Sequence, residues 1–172
     1  VVGWVGNSLN KIKRFTELQT LLSAEPWIEF VTQFKSSACS QDQMPHFYSR
    51  IDVLVCASRS EGTPNPVLEA AASGRAWVST RVGIVQELNE GSPSGIIVDR
   101  LEDIVPALRR LHENRDLLRE LSSAGRVAVM DRFRWSERIK SFESLFGDQS
   151  SPLPESRHNL LEISETVSKE VK

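Results

Sequence analysis

Ser60-Glu61-Gly62-Thr63-Pro64-Asn65-Pro66-Val67-Leu68-Glu69-Ala70-Ala71-Ala72-Ser73-Gly74 comes directly after the apolar run Ile51 to Ala57. A short valine- and isoleucine-rich run reads as a buried strand, and the glycine and prolines after it read as a turn. The alanine-rich stretch from Val67 to Ser73 reads as a helix. A turn feeding a helix leaves backbone N–H groups unpaired, and the helix dipole favours anions there. Glu61 and Glu69 flank this turn, eight positions apart. An ionised carboxylate accepts two O–H donors at once, which suits hydroxyl-rich groups. Phosphate in the middle with polyols on either side describes a nucleotide sugar.

Outward from that stretch the same alternation repeats. Val1 to Val5 reads as a strand ending at Gly6-Asn7-Ser8. Apolar residues Ile12, Phe15, Leu18, Leu21 and Leu22 predict a helix over Lys11 to Ala24, which Glu25-Pro26 stops. Trp27 to Phe34 is a strand, and a polar loop from Lys35 to Gln43 leads to a short helix over Met44 to Ser49. Beyond the glutamate turn come strand Ala76 to Thr80, a brief helix Val85 to Asn89 and strand Ile96 to Val98. Three further helices are expected over Glu102 to Asn114, Arg115 to Asp131 and Ser136 to Phe146. Residues 1–147 form one domain, and 148–172, rich in Ser, Pro and Glu, read as a polar, flexible tail with weak helix near Leu160 to Val171. Short buried strands alternating with helices predict a three-layer α/β/α, Rossmann-like domain with a parallel sheet. Ligands of such sheets gather at the carboxyl ends of the strands, where the Gly6 loop and the Ser58 to Pro66 loop fall.

Composition narrows the function classes. At 172 residues, 40% hydrophobic and 26% charged, the chain is an ordinary globular protein. Its net charge of −2 gives no general attraction to nucleic acid or anionic lipid. No run of residues has the length and apolarity of a membrane span, so membrane contact is not indicated. Cys39 and Cys56 have no zinc spacing, which predicts reduced thiols and a cytoplasmic location. His46, His112 and His158 are isolated, so no metal role is assigned to them. Trp4, Trp27, Trp77 and Trp135 fall at element boundaries and are expected in the core, and Asp52 is expected to cap or solvate the start of its strand. There is no GxGxxG and no GxSxG, which removes support for dinucleotide oxidoreductases and serine hydrolases. The chain opens inside a buried strand without an initiator Met, which reads as a piece of something longer.

A run of motifs in order resembles the C-terminal, donor-binding half of retaining family-4 glycosyltransferases of the GT-B fold. Phe47-Tyr48-Ser49-Arg50-Ile51-Asp52-Val53-Leu54-Val55 is similar to the family's stretch before the glutamate signature. Ser60-Glu61-Gly62 through Glu69-Ala70 matches that signature. Gly74, Val78-Ser79-Thr80-Arg81-Val82-Gly83, Glu87, Gly95-Ile96-Ile97-Val98 and Phe133-Arg134-Trp135-Ser136 match the family's pattern on the C-terminal side of the signature.

The resemblance implies transfer of a sugar from a nucleotide-diphosphate donor to an acceptor hydroxyl with retention. Glu61 would be the catalytic residue, binding hydroxyls of the donor sugar. Gly62, Thr63, Pro64, Asn65 and Val67 would line sugar and pyrophosphate, and Glu69 would accept from the ribose hydroxyls. Gly6 and the basic residues Lys11, Lys13 and Arg14 would lie at the pyrophosphate, with Phe34 and Lys35 near the base. No cofactor or obligatory metal is implied, and the partners would be the nucleotide-sugar donor and an N-terminal GT-B domain. The last helix would pack toward that domain, leaving Ile139, Phe142, Leu145 and Phe146 partly exposed.

The first loop departs from the family: it lacks the usual arginine soon after the glycine and the Lys-Gly pair. Positive charge at a helix start is unfavourable unless an anion is near, which points to phosphate at one or more of Lys11, Lys13 and Arg14. The plainer reading makes all three solvated, Glu69 a dipole-favoured helix glutamate and Glu61 a solvated loop carboxylate. Other functional readings are a nucleotide-sugar-binding module without turnover, another GT-B enzyme such as a sugar epimerase or phosphorylase, and an interaction domain with no ligand.

Overall fold

The computed structural model describes residues 1–34 and 41–146, so Lys35, Cys39 and the tail lie outside it. Its chain divides into one unit over Val1–Arg134 and a second beginning at Trp135. In the first unit, strands β1 (Val2–Gly6), β2 (Phe30–Phe34), β3 (Val53–Cys56), β4 (Ala76–Thr80) and β5 (Ile96–Val98) form a five-stranded sheet in the order β2-β1-β3-β4-β5. Every pairing is parallel. Parallel neighbours need crossovers, supplied by helices α1 (Phe15–Ser23), α2 (Met44–Ser49), α3 (Asn65–Ala72) and α4 (Val85–Leu88), while α5 (Ile104–Glu113) and α6 (Arg115–Arg132) follow the last strand.

The two-residue period of the strands sorts their side chains between two cores. Val53, Val55, Ala76 and Val78 face the layer that holds Leu18 and Leu22 of α1 and Ile104, Leu108 and Leu111 of α5. Leu54, Cys56 and Trp77 face the other layer, with Tyr48, Val67, Ala70, Ala71 and Val129. The α/β/α layering read from the sequence is therefore the observed one.

Several boundaries differ from expectation by a residue or more. The helix expected over Lys11 to Ala24 is a 3₁₀ turn (Lys11–Lys13) followed by α1, with Arg14 between them in the left-handed region at φ 53°. Asn10 starts that turn by accepting from Ile12 N, and Ile12, counted from its spacing as apolar helix face, is 48% exposed. Strand β2 is shorter than Trp27 to Phe34, since Trp27 is engaged sideways: its Nε1 donates to Glu25 at 2.6 Å and Arg109 stacks over its ring. Helix α3 starts at Asn65 rather than Val67, with Pro64 at the cap position and no side-chain cap.

The tryptophans divide. Trp4 and Trp77 are buried, whereas Trp135 is 81% exposed and not a core residue. The second unit contributes α7 (Trp135–Phe146), on which Ile139 and Phe142 are 51% and 53% exposed; the side chains of Leu145 and Phe146 are outside the described set. Asp52 is half-exposed at the amino end of β3, 3.8 Å from Arg115. No described helix is long and apolar enough to cross a membrane.

Candidate functional site

The order β2-β1-β3 reverses the direction of winding at the β1/β3 boundary. Open parallel sheets form their ligand crevice at such a point, outside the carboxyl ends of the strands. Here β1 and β3 pair only at Val2–Val53 and Gly3–Leu54, while β1 pairs with β2 along all five residues. Beyond Gly3 and Leu54 the two strands share no ladder, and the loops that leave them meet above this gap. One backbone bond ties those loops together: Arg59 N donates to Ile12 O at 2.9 Å.

Glu61 and Lys13 meet across the crevice. The Lys13 ammonium donates to Glu61 Oε1, and the two side chains are 21% and 15% exposed. The same carboxylate oxygen accepts from Ser58 Oγ at 2.7 Å. Ser58 is buried, and Thr80 Oγ1, at the end of β4, donates to the Ser58 carbonyl at 2.6 Å. Side chains from the loops after β1 and β3 thus converge on one carboxylate, and the end of β4 supports the second of those loops.

The N–H groups of the turn are used unevenly. Asn65 N donates to Thr63 O at 2.9 Å and Val67 N to Pro64 O at 2.8 Å, while Pro64 and Pro66 have no N–H. Among the described residues of the turn, Gly62 and Thr63 are left without an internal acceptor, and both are exposed. The N–H groups left free thus lie three and two residues before the helix. Val67 and Pro64 are buried, so neither offers a side chain to a ligand, and the Val67 N–H is already taken.

Gly83 carries a requirement that spacing alone does not reveal. Its φ is +51°, and a Cβ there would stand 2.1 Å from the Gly62 carbonyl oxygen and 2.9 Å from that of Glu61. Only a residue without a side chain lets the β4 loop support the Glu61–Gly62 backbone this closely. Gly62 itself faces open space.

The basic triad after β1 is divided. Lys13 turns to Glu61, while Lys11 and Arg14 line a separate cleft of about 310 Å³ with Ser8, Asn10, Glu17 and Arg59. Glu17 pairs with Arg59 at 2.9 Å and with Arg14 at 3.6 Å. The anion that this positively charged helix start demands is therefore supplied partly from within. Gly6 is buried at the end of β1, and Phe34, half-buried at the end of β2, joins the Trp4–Phe15 aromatic cluster with ring centroids 6.0 and 5.3 Å away.

Glu69 lies one turn into α3 and is exposed, and its Oε2 accepts from the phenol hydroxyl of Tyr48 at 2.6 Å. Burial first, then the hydrogen bond to Glu69 and its negative charge, push the ionisation of Tyr48 above its usual 10.0. A raised value means that the folded protein keeps this proton while the unfolded chain gives it up. Stability from this group is full below pH 10.0 and is lost as pH rises beyond it. Since Tyr48 is the single tyrosine, tyrosinate absorbance in an alkaline titration is expected only together with unfolding, monitored by circular dichroism; tyrosinate forming in the native protein would contradict the contact.

Among the described residues no group of His, Cys, Asp and Glu could hold a metal ion. A model of the glycosyl transferases group 1 family matches residues 2–114. The chain belongs to the glycosyl transferases group 1 family. It is 27% identical over 150 residues to D-inositol 3-phosphate glycosyltransferase of Streptomyces bingchenggensis (strain BCW-1), a match that takes in 86% of this chain and 32% of that protein. The chain thus spans about a third of that relative's length, 32%.

The group 1 fold is matched in solved structures as well. The C-terminal domain of the group 1 protein LpcC from Francisella tularensis superposes with a TM-score of 0.65 at 20% identity, over 78% of this chain and 86% of that domain. Anabaena Alr3699/HepE in complex with UDP and glucose gives a TM-score of 0.61 at 18% identity, over 84% of this chain and 40% of that one. At such identities the likeness concerns the fold, which is that of a GT-B half.

Residues that sequence reasoning did not single out as site residues are Ser58, Tyr48, Thr80 and Gly83. Gly83 had a signal, a glycine just beyond a strand end, and Ser58 lies three residues before Glu61 in the same loop; Thr80 had none, because its contact depends on which strands are neighbours.

Proposed function

We propose that this group 1 domain binds the nucleoside-diphosphate sugar of a glycosyl transfer to an acceptor hydroxyl, with anomeric configuration retained. The observation that carries this reading is the Lys13–Glu61 pair, set across the β1/β3 crevice beside the unpaired N–H groups of Gly62 and Thr63. A cation, two free amide donors and a carboxylate in one place match an activated sugar: phosphate oxygens for the donors, sugar hydroxyls for the carboxylate. UDP and glucose in the Anabaena neighbour are in keeping with it. Glu69 on the far side of the turn would take the ribose hydroxyls.

The chemistry asked of these residues is positioning and charge stabilisation. As the glycosidic bond breaks, negative charge grows on the leaving diphosphate, where the Lys13 ammonium and the two amides would receive it. The acceptor and a second GT-B domain would complete the cleft. Calorimetry with UDP, GDP, ADP and their glucose or mannose conjugates tests the reading, and absence of binding by all of them would overturn it. Charge stabilisation by Lys13 and amides requires no divalent ion, so donor affinity is expected to be the same in EDTA as in Mg²⁺. Loss of binding in EDTA would assign the diphosphate to a metal instead.

A further inference from the structure

Tyr48 is 2% exposed, its ring packed in the core layer that also holds Ile51, Leu54 and Val67. Its hydroxyl is the one polar point of that ring, and it emerges at the Glu69 carboxylate 2.6 Å away. Glutamate on an exposed helix face ordinarily samples several rotamers, and a ligand that needs one of them must freeze the rest. A buried aromatic ring cannot track such motion. Its hydrogen bond therefore selects one carboxylate orientation before any ligand arrives. The bond occupies one lone pair on Oε2 and leaves Oε1 open.

We propose that Tyr48 is a positioning residue that holds the Glu69 carboxylate in the orientation that accepts both hydroxyls of a ribose. This rests on the reading of Glu69 as the ribose ligand given above. A carboxylate fixed on one oxygen presents the other to a vicinal diol, the arrangement by which one acidic group discriminates ribose from a sugar without those hydroxyls. The Tyr48 proton is held more tightly than in water, so the group remains a donor throughout the neutral range. A tyrosine that merely needed a partner for its hydroxyl would be satisfied by water at the domain surface, and it would leave nucleotide discrimination untouched.

The test uses UDP, GDP and ADP and the 2′,3′-dideoxy form of each, titrated calorimetrically into the full chain. The wild type is expected to prefer the ribose form, and Glu69→Ala to erase the preference. Tyr48→Phe, which removes only the hydroxyl, is expected to reduce the preference about five- to tenfold, the scale of immobilising one rotamer-rich side chain, while the dideoxy affinity stays unchanged. Preference kept by Tyr48→Phe but erased by Glu69→Ala overturns the positioning role and leaves the ribose reading intact. Preference kept by Glu69→Ala, or no binding of any of the three nucleotides by the wild type, overturns the ribose reading itself. Should Tyr48→Phe fail to fold, 3-fluorotyrosine labels this one tyrosine in the wild type. Its ¹⁹F resonance is expected to move with the ribose nucleotide and not with the dideoxy form; equal shifts, or none, overturn the proposal.

Discussion

Glu61→Ala is expected to weaken binding of a nucleoside-diphosphate sugar while binding of the bare nucleoside diphosphate stays the same or tightens. The opposite signs arise from the pair. In the free domain the Lys13 ammonium already donates to Glu61, so an incoming phosphate must compete for it. Without the carboxylate, Lys13 is released to the phosphate, which favours the diphosphate several-fold. The sugar loses its acceptor: hydrogen bonds involving a charged group contribute about 1.5–3 kcal/mol, or roughly 10- to 150-fold in affinity. Lys13→Met is expected to weaken both ligands together, since both carry the phosphate. Calorimetry of UDP and UDP-glucose, or of the pair whose base binds, reads these effects directly. Equal losses for both ligands in Glu61→Ala would show that Glu61 only orders its loop.

Gly83→Ala and Gly62→Ala are expected to part stability from binding. At Gly83 a methyl would stand 2.1 Å from the Gly62 carbonyl, backbone against backbone, at a positive φ. Left-handed geometry alone costs an L-residue about 1–2 kcal/mol, and overpacking adds about 1–3 kcal/mol. The melting temperature should fall by roughly 5–15 °C, and donor affinity with it, because Glu61 moves with its displaced neighbour. At Gly62 an added Cβ meets nothing within 4 Å. Gly62→Ala should melt within about 2 °C of the wild type, yet lose affinity where its methyl occupies the space proposed for the sugar. Thermal unfolding monitored by fluorescence, run beside the titrations, checks both. A Gly83→Ala protein that melts like the wild type would mean that the β4 loop does not press on the glutamate turn in solution.

Much of the layering was legible because buried parallel strands must be apolar on both faces. Val53 to Cys56 and residues 76–78 have that character, and Gly and Pro punctuate the turns between them. The overrun of the first helix has a specific cause. Ile12 and Phe15 carry helical spacing, but Arg14 adopts a left-handed backbone that nothing in its side chain announces. Trp135 misled because an aromatic residue at a helix boundary is compatible with burial or exposure, and local sequence does not distinguish them.

The candidate site divides along the same line. Sequence alone pointed to the Glu61–Glu69 turn, since carboxylates, glycine and proline each restrict what a short segment can do. It could not choose among Lys11, Lys13 and Arg14, which occupy one charged stretch. Tertiary structure separates the three: Lys13 reaches a carboxylate 48 positions away, and its two basic neighbours line another cleft. Tyr48 and Glu69, 21 positions apart, and Gly83 against Gly62 are likewise contacts between segments brought together by the strand order. Local chemistry governs which backbone shapes a segment can take, so it is readable along the chain. Which side chains meet is decided by the sheet's winding at the β1/β3 boundary, and that depends on the packing of the whole core.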